Sequence, residues 1–158
     1  MSHATKTRFL EIGSPFPLRD GGTLPQVRIA YETWGELNAE KSNAILVCHA
    51  LSGSHHAAGR NASIEGVGQL WQEEMHAGWW DDMIGPGKAI DTKKHFVICA
   101  NYLGGCYGST GPGSVNPETG RHWGSSFPAV TATDQVNALA LLLDELGIGA
   151  LHAIVGPS

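Results

Sequence analysis

The sequence predicts an α/β protein built on a mostly parallel, doubly wound sheet that opens with antiparallel strands. Three observations predict it. Ala44 to Ala50 and His95 to Asn101 are nearly continuous apolar runs of strand length, the pattern of parallel strands covered on both faces. Between Thr133 and Leu146 the apolar residues Val136, Leu139, Ala140, Leu143 and Leu146 recur at helical spacing. The apolar segment Leu151 to Val155 follows directly, and a strand, helix and strand in that order imply a right-handed crossover in one sheet.

Taken in chain order, Arg8 to Ile12 and Gln26 to Thr33 form the antiparallel opening. The second of these alternates apolar and polar residues, as a strand with one wet face would. Asp20-Gly21-Gly22 supplies the turn before it. Ser52 to Gly87 is rich in Gly and His with weak periodicity, which predicts a long loop with a short helix near Leu70 to Met75. Asp134 supports the first turn of the later helix and Gly147 stops it.

Length and composition exclude several classes of function. A chain of 158 residues fits one domain that hides roughly 70% of its unfolded surface. A hydrophobic share of 42% with 16% charged residues describes a folding chain rather than a disordered one. The net charge of -5 and the scattered Lys and Arg offer no basic stripe for nucleic acid and no patch for a membrane surface. Met1 to Arg8 hold no apolar core of a leader, and no run approaches the roughly 20 apolar residues of a membrane span; the cytoplasm is the expected compartment. Cys48 and Cys99 sit inside apolar runs and Cys106 makes an odd third, so the first two read as small core residues and no disulfide framework is expected.

Two strand ends carry the chemistry. Leu151 to Val155 runs into Gly156-Pro157-Ser158, and a strand ending in Gly-x-Ser is the first half of a nucleophile elbow, which makes Ser158 the candidate nucleophile. His49-Ala50-Leu51-Ser52-Gly53 leaves an inner strand at the carboxyl edge, where open α/β sheets keep their ligands. The Leu51 backbone N–H is the candidate oxyanion donor. The His49 ring is expected to hydrogen-bond within the core. His55 and His56 are adjacent and have no Cys or carboxylate at ligand spacing, so no metal site is expected; their loop is expected to line the mouth of the site. Asn101 to Pro112 fits neither nucleotide motif, because no Lys follows its glycines and Gly-x-Gly-x-x-Gly is missing. What this glycine-rich run offers is close backbone approach, with hydroxyls at Ser109 and Thr110; nothing nearby would activate Cys106 as a nucleophile. Trp79-Trp80-Asp81-Asp82 is expected to anchor the long loop with buried rings.

Tyr31-Glu32-Thr33-Trp34-Gly35 with Leu37-Asn38, Cys48 to Gly53, Gly78-Trp79-Trp80 through Lys88, Ile90-Asp91-Thr92, Asn101 to Pro112, Asn116-Pro117 and the terminal Gly156-Pro157-Ser158 together resemble the homoserine O-acyltransferase family of the α/β-hydrolase fold. Within it they are most similar to the homoserine O-acetyltransferase branch of methionine biosynthesis. The resemblance implies that residues 1–158 are the amino-terminal part of a single α/β-hydrolase domain, with the lid, the acid and the His of the triad following the serine. It implies that Ser158 is the acyl-accepting nucleophile, that the Leu51 N–H binds the oxyanion, and that Ser52, where relatives often carry Thr, lies near the homoserine site. It implies acetyl-CoA as co-substrate with no bound cofactor, L-homoserine as acceptor, and a homodimer. Homoserine O-succinyltransferase and a serine esterase of the same fold are the alternative readings. Pro157 departs from the Gly or Ala common at its position. On this reading the chain ending at Ser158 is expected to be inactive by itself and to aggregate or fold only in part.

Overall fold

The computed structural model describes residues 4–156; Pro157 and Ser158 lie outside them. In chain order the elements are β1 (Arg8–Ile12), β2 (Phe16–Pro17), β3 (Thr23–Leu24), β4 (Val27–Trp34), β5 (Ala44–Val47), β6 (Ile84–Gly85), β7 (Ile90–Asp91), β8 (Phe96–Ala100), α1 (Ala132–Glu145) and β9 (Ala153–Val155). Five strands form one sheet in the order β1-β4-β8-β5-β9. The β1–β4 and β4–β8 pairs are antiparallel, while β5 runs parallel to both β8 and β9. The antiparallel opening and the parallel interior read from the sequence are thus both present, as is the helical crossover that carries the chain to β9. The expected short helix near 70–75 is two 3-10 turns, Gly68–Leu70 and Glu73–Met75.

Side chains alternate along each inner strand, so one run feeds two cores. Ala44, Leu46, Phe96, Ile98 and Ala100 face one side and pack with Ala138 and Leu142 of α1. Ile45, Val47, Val97 and Cys99 face the other and pack with Ala57, Ala58 and Ile84. That second face is covered by the long loop, held by tryptophans whose N–H groups find carbonyls: Trp79 donates to Ser54 (2.8 Å) and Trp34 to Ala58 (3.1 Å). The anchoring role expected of Trp79 is therefore seen, with Trp80 stacked 5.3 Å from it.

Helix α1 begins with a capping box in which the Asp134 N–H donates to Thr131 Oγ1 and the Thr131 N–H donates to Asp134 Oδ2 (2.7 Å), satisfying donors that a helix start otherwise leaves open. Gly147 ends it at φ +68°, a conformation in which a side chain would be strained. Among the described residues, no helix is long and apolar enough to cross a membrane.

The loop brings a buried polar cluster against β4, and here two sequence expectations are corrected. Glu32, placed by its alternation on a wet face, is completely buried. His55 and His56, expected at the mouth of the site, turn inward and meet it. His56 donates from Nδ1 to Glu32 Oε2 (2.8 Å) and from Nε2 to the His76 carbonyl (3.0 Å). Asn61 Nδ2 donates to Glu32 Oε1 (2.6 Å), and Thr7 Oγ1 lies 2.9 Å from His55 Nε2. The physical reason is long-range: the loop covers a face that local pattern alone would leave to solvent.

This cluster makes stability depend on pH. Burial holds His55 down to about 4, assisted by the charge on His56 and opposed by Glu32. Burial pushes the Glu32 carboxyl up, but the hydrogen bond and charge of His56 and the Asn61 amide outweigh it and leave it below its ordinary 4.5. Both folded-state values are depressed, so both groups contribute stability that is complete above the unfolded values and lost on acidification. For His55 the loss runs from its ordinary 6.5 down to about 4 and amounts to about 3 kcal/mol; Glu32 adds to it at lower pH. Denaturant midpoints measured from pH 7.5 to 4 should fall across that window, and a His55→Gln variant should show a flatter profile. A wild-type profile level between pH 7 and 5 would refute the assignment.

Candidate active site

β5 and β8 end side by side, and the segments leaving them, 48–53 and 101–112, border an open cleft of about 570 Å3 lined by His49, Leu51, Ser52, Tyr102, Cys106 and Phe127 among others. This is the carboxyl edge of the parallel strands, where such sheets bind ligands. A larger cavity of about 980 Å3 involves Trp34 and Gly35, which lie beside the amino ends of β5 and β8, so it opens at the opposite edge. The smaller cleft, at the carboxyl edge, is the candidate site.

On the β5 side, Leu51 and Ser52 form an exposed turn. The Leu51 side chain is 99% exposed, so what it can give the cleft is its backbone. Among the described residues, its N–H donates to no protein acceptor. The preceding carbonyl is held twice: Ala50 O accepts from the Gly53 N–H (2.8 Å) and from His49 Nδ1 (2.7 Å). Burial lowers the pKa of His49, against the bond to Ala50, and keeps the ring neutral. Tyr102 stacks on it at 4.0 Å and donates its hydroxyl to the His49 carbonyl (2.9 Å). The hydrogen-bonded core role read for His49 is therefore observed.

On the β8 side, the glycine-rich loop is tied down from two directions. Gln135 of α1 clamps Leu103 by accepting from its N–H (2.8 Å) and donating to its carbonyl (2.6 Å). Ser109 Oγ donates to the Asn101 carbonyl (2.8 Å) and accepts from the Ala30 N–H (3.0 Å), while Thr110 Oγ1 accepts from the Arg28 N–H (2.8 Å). Those two hydroxyls fasten the loop to β4. The close approach expected of the glycines is real: a Cβ on Gly105 would sit 2.8 Å from Asn101 Nδ2 and 2.9 Å from the Tyr102 carbonyl. Tyr102 and Gln135 were not singled out from the sequence. Tyr102 could have been found from its place two residues after β8; Gln135 reaches the loop only through the packing of α1.

No family model matches the chain. Its sequence is 59% identical over 144 residues to the homoserine O-succinyltransferase of Azoarcus sp., covering 91% of this chain and 36% of that protein. Against the homoserine O-acetyltransferase of Methanococcoides burtonii it is 52% identical over 152 residues, covering 96% of this chain and 29% of that one. This chain is a homologue of the homoserine O-acyltransferases. It spans about a third of the length of these curated relatives. The crystal structure of homoserine O-acetyltransferase from Bacillus anthracis superposes with a TM-score of 0.83 at 39% identity, over 99% of this chain and 40% of that one. An esterase superposes equally well, with a TM-score of 0.82 at 40% identity over 98% and 41%. The fold is that of the α/β-hydrolases.

In this homoserine O-acyltransferase homologue the structure brings Leu51 and Ser52 to one cleft, while Ser158 lies outside the described residues. The strand leading to it ends at the same edge: the Cys48 N–H donates to the Val155 carbonyl (2.8 Å), and a Cβ on Gly156 would come within 3.1 Å of the Cys48 carbonyl. Burial raises the pKa of both the Cys48 and the Cys99 thiol, as expected of core thiols. Cys106 is exposed on the glycine-rich loop. His55 and His56 take part in the Glu32 cluster, and among the described residues no three His, Cys, Asp or Glu side chains are grouped as a metal site would require.

Proposed function

We propose that the protein carrying this sequence moves an acyl group from an acyl-CoA thioester to the hydroxyl of L-homoserine through an ester on Ser158. The observation that carries the reading is 52–59% identity over more than nine-tenths of the chain to enzymes named for that transfer. Ser158 Oγ attacks the thioester carbonyl, the C–S bond breaks, and CoA leaves as the thiol. The homoserine hydroxyl then attacks the serine ester, which yields O-acylhomoserine and restores the serine. The Leu51 N–H is suited to the oxyanion of both steps, since no other described group uses it. Ser52 stands exposed beside it, in the position proposed to meet homoserine. His49 lines the cleft with Nδ1 donating to the Ala50 carbonyl, and it is not assigned the role of base.

Acetyl-CoA is the proposed donor, and succinyl-CoA is the alternative brought forward by the 59% identical relative. The cytoplasm is proposed as the compartment, and a homodimeric assembly is proposed on the family resemblance. A hydrolase is the second reading, favoured by the esterase that matches as closely in structure as the acetyltransferase does. One assay separates them: CoA release from each thioester, with and without homoserine, and the mass of the product. Release that depends on homoserine and yields the O-acyl product is expected. Equal release into water without homoserine would establish the hydrolase instead.

A further inference from the structure

We propose that His49 is a positioning residue that aims the Leu51 N–H into the cleft by holding the carbonyl of the same peptide unit. The inference rests on the reading of Leu51 as oxyanion donor. A peptide is planar and trans, so the C=O of Ala50 and the N–H of Leu51 point in opposite directions and turn together. Whatever fixes one fixes the other. Ala50 O is fixed by two donors, His49 Nδ1 at 2.7 Å and the Gly53 N–H at 2.8 Å. The His49 ring is itself immobilised, 5% exposed and stacked on Tyr102, whose hydroxyl holds the His49 carbonyl. The loop is therefore cross-braced from the segment that follows β8.

Two further observations support the assignment. Gly53 admits no side chain without disturbing this bracing: its Cβ would lie 3.1 Å from His49 Cβ, 3.2 Å from Ala50 O and 3.3 Å from His49 Nδ1. Hydrogen bonds accepted by a carbonyl also polarise its peptide, which makes the N–H a stronger donor at the moment negative charge develops. A side chain that never touches substrate would thus act on the transition state through one peptide plane. The bond to Ala50 O requires a ring with its proton on Nδ1, since only an N–H can donate to a carbonyl.

The test pairs His49→Phe with His49→Asn in the full-length protein. Phenylalanine keeps a ring against Tyr102 but has no donor; asparagine places an amide N–H near the position of Nδ1. Removing an oxyanion donor outright costs about 10²–10³ in kcat, so loss of its aim in His49→Phe should cost roughly 10- to 100-fold, with KM for both substrates changed less than about twofold. His49→Asn should recover most of that loss. Gly53→Ala, which leaves the ring donor in place, should lower kcat in the same way. Backbone order at the Leu51 amide, read by NMR relaxation, should fall in His49→Phe whether or not transfer is assayed. Wild-type kcat in His49→Phe, or an equal loss in both His49 variants, would overturn the proposal; so would unchanged order at the Leu51 amide. Absence of homoserine-dependent transfer in the wild type would instead sink the acyltransferase reading, leaving the Leu51 measurement to judge His49.

Discussion

Replacing Ser158 with alanine is expected to lower kcat for acyl transfer by on the order of 10⁴-fold or more, or about 5.5 kcal/mol of transition-state stabilisation. The size follows from the chemistry. With no hydroxyl to become an ester, the two-step route closes, and only binding and the oxyanion donors are left to accelerate a direct reaction. KM for the acyl thioester should change little, because a missing oxygen removes few ground-state contacts. The measurement is steady-state CoA release with saturating homoserine, together with mass spectrometry of the enzyme, which should show the acyl adduct in wild type and none in Ser158→Ala. A variant retaining more than a tenth of wild-type turnover would remove Ser158 from the mechanism.

The second large effect concerns folding. Glu32→Ala should destabilise the protein by about 3–5 kcal/mol, because it strips the carboxylate from a buried pair and leaves His56 and the Asn61 amide without their acceptor. Against a typical total of about 5–15 kcal/mol that is enough to unfold a marginal domain. Glu32→Gln keeps the shape and one acceptor and should cost less, so it serves as the measurable variant if alanine yields no folded protein. Denaturant midpoints at pH 7.5 decide the matter; a loss below about 1 kcal/mol for Glu32→Ala would show that the cluster contributes little.

Much of the fold was legible because inner parallel strands and an amphipathic helix announce themselves over a few residues. Ile45, Leu46 and Val47 are apolar on both faces since both faces are covered. In α1 the helical period was legible but its phase was not: Ala138 and Leu142 are the buried apolar residues, Leu139, Leu143 and Leu146 are half-buried beside them, and Val136 and Ala140 of the expected stripe are exposed. The carboxyl-edge placement of Leu51 and Ser52 followed from strand direction. Glu32 was misread for an equally physical reason. Its alternation with Tyr31 is that of a strand with one solvated face, and what covers that face arrives 24 residues later with His56. No window short enough to show a period of two contains both residues.

The amino-acid sequence alone determined which segments would become the five strands of the main sheet and helix α1, their order, and the Gly-x-Ser and His49-to-Gly53 segments at strand ends, because burial periodicity and turn chemistry act locally. Tertiary structure alone decided that the long loop closes the second face of the sheet, that Glu32 and His56 meet there, and that His49 braces the peptide carrying the Leu51 N–H. Buried polar groups take whichever partners packing delivers, and those partners lie far apart along the chain.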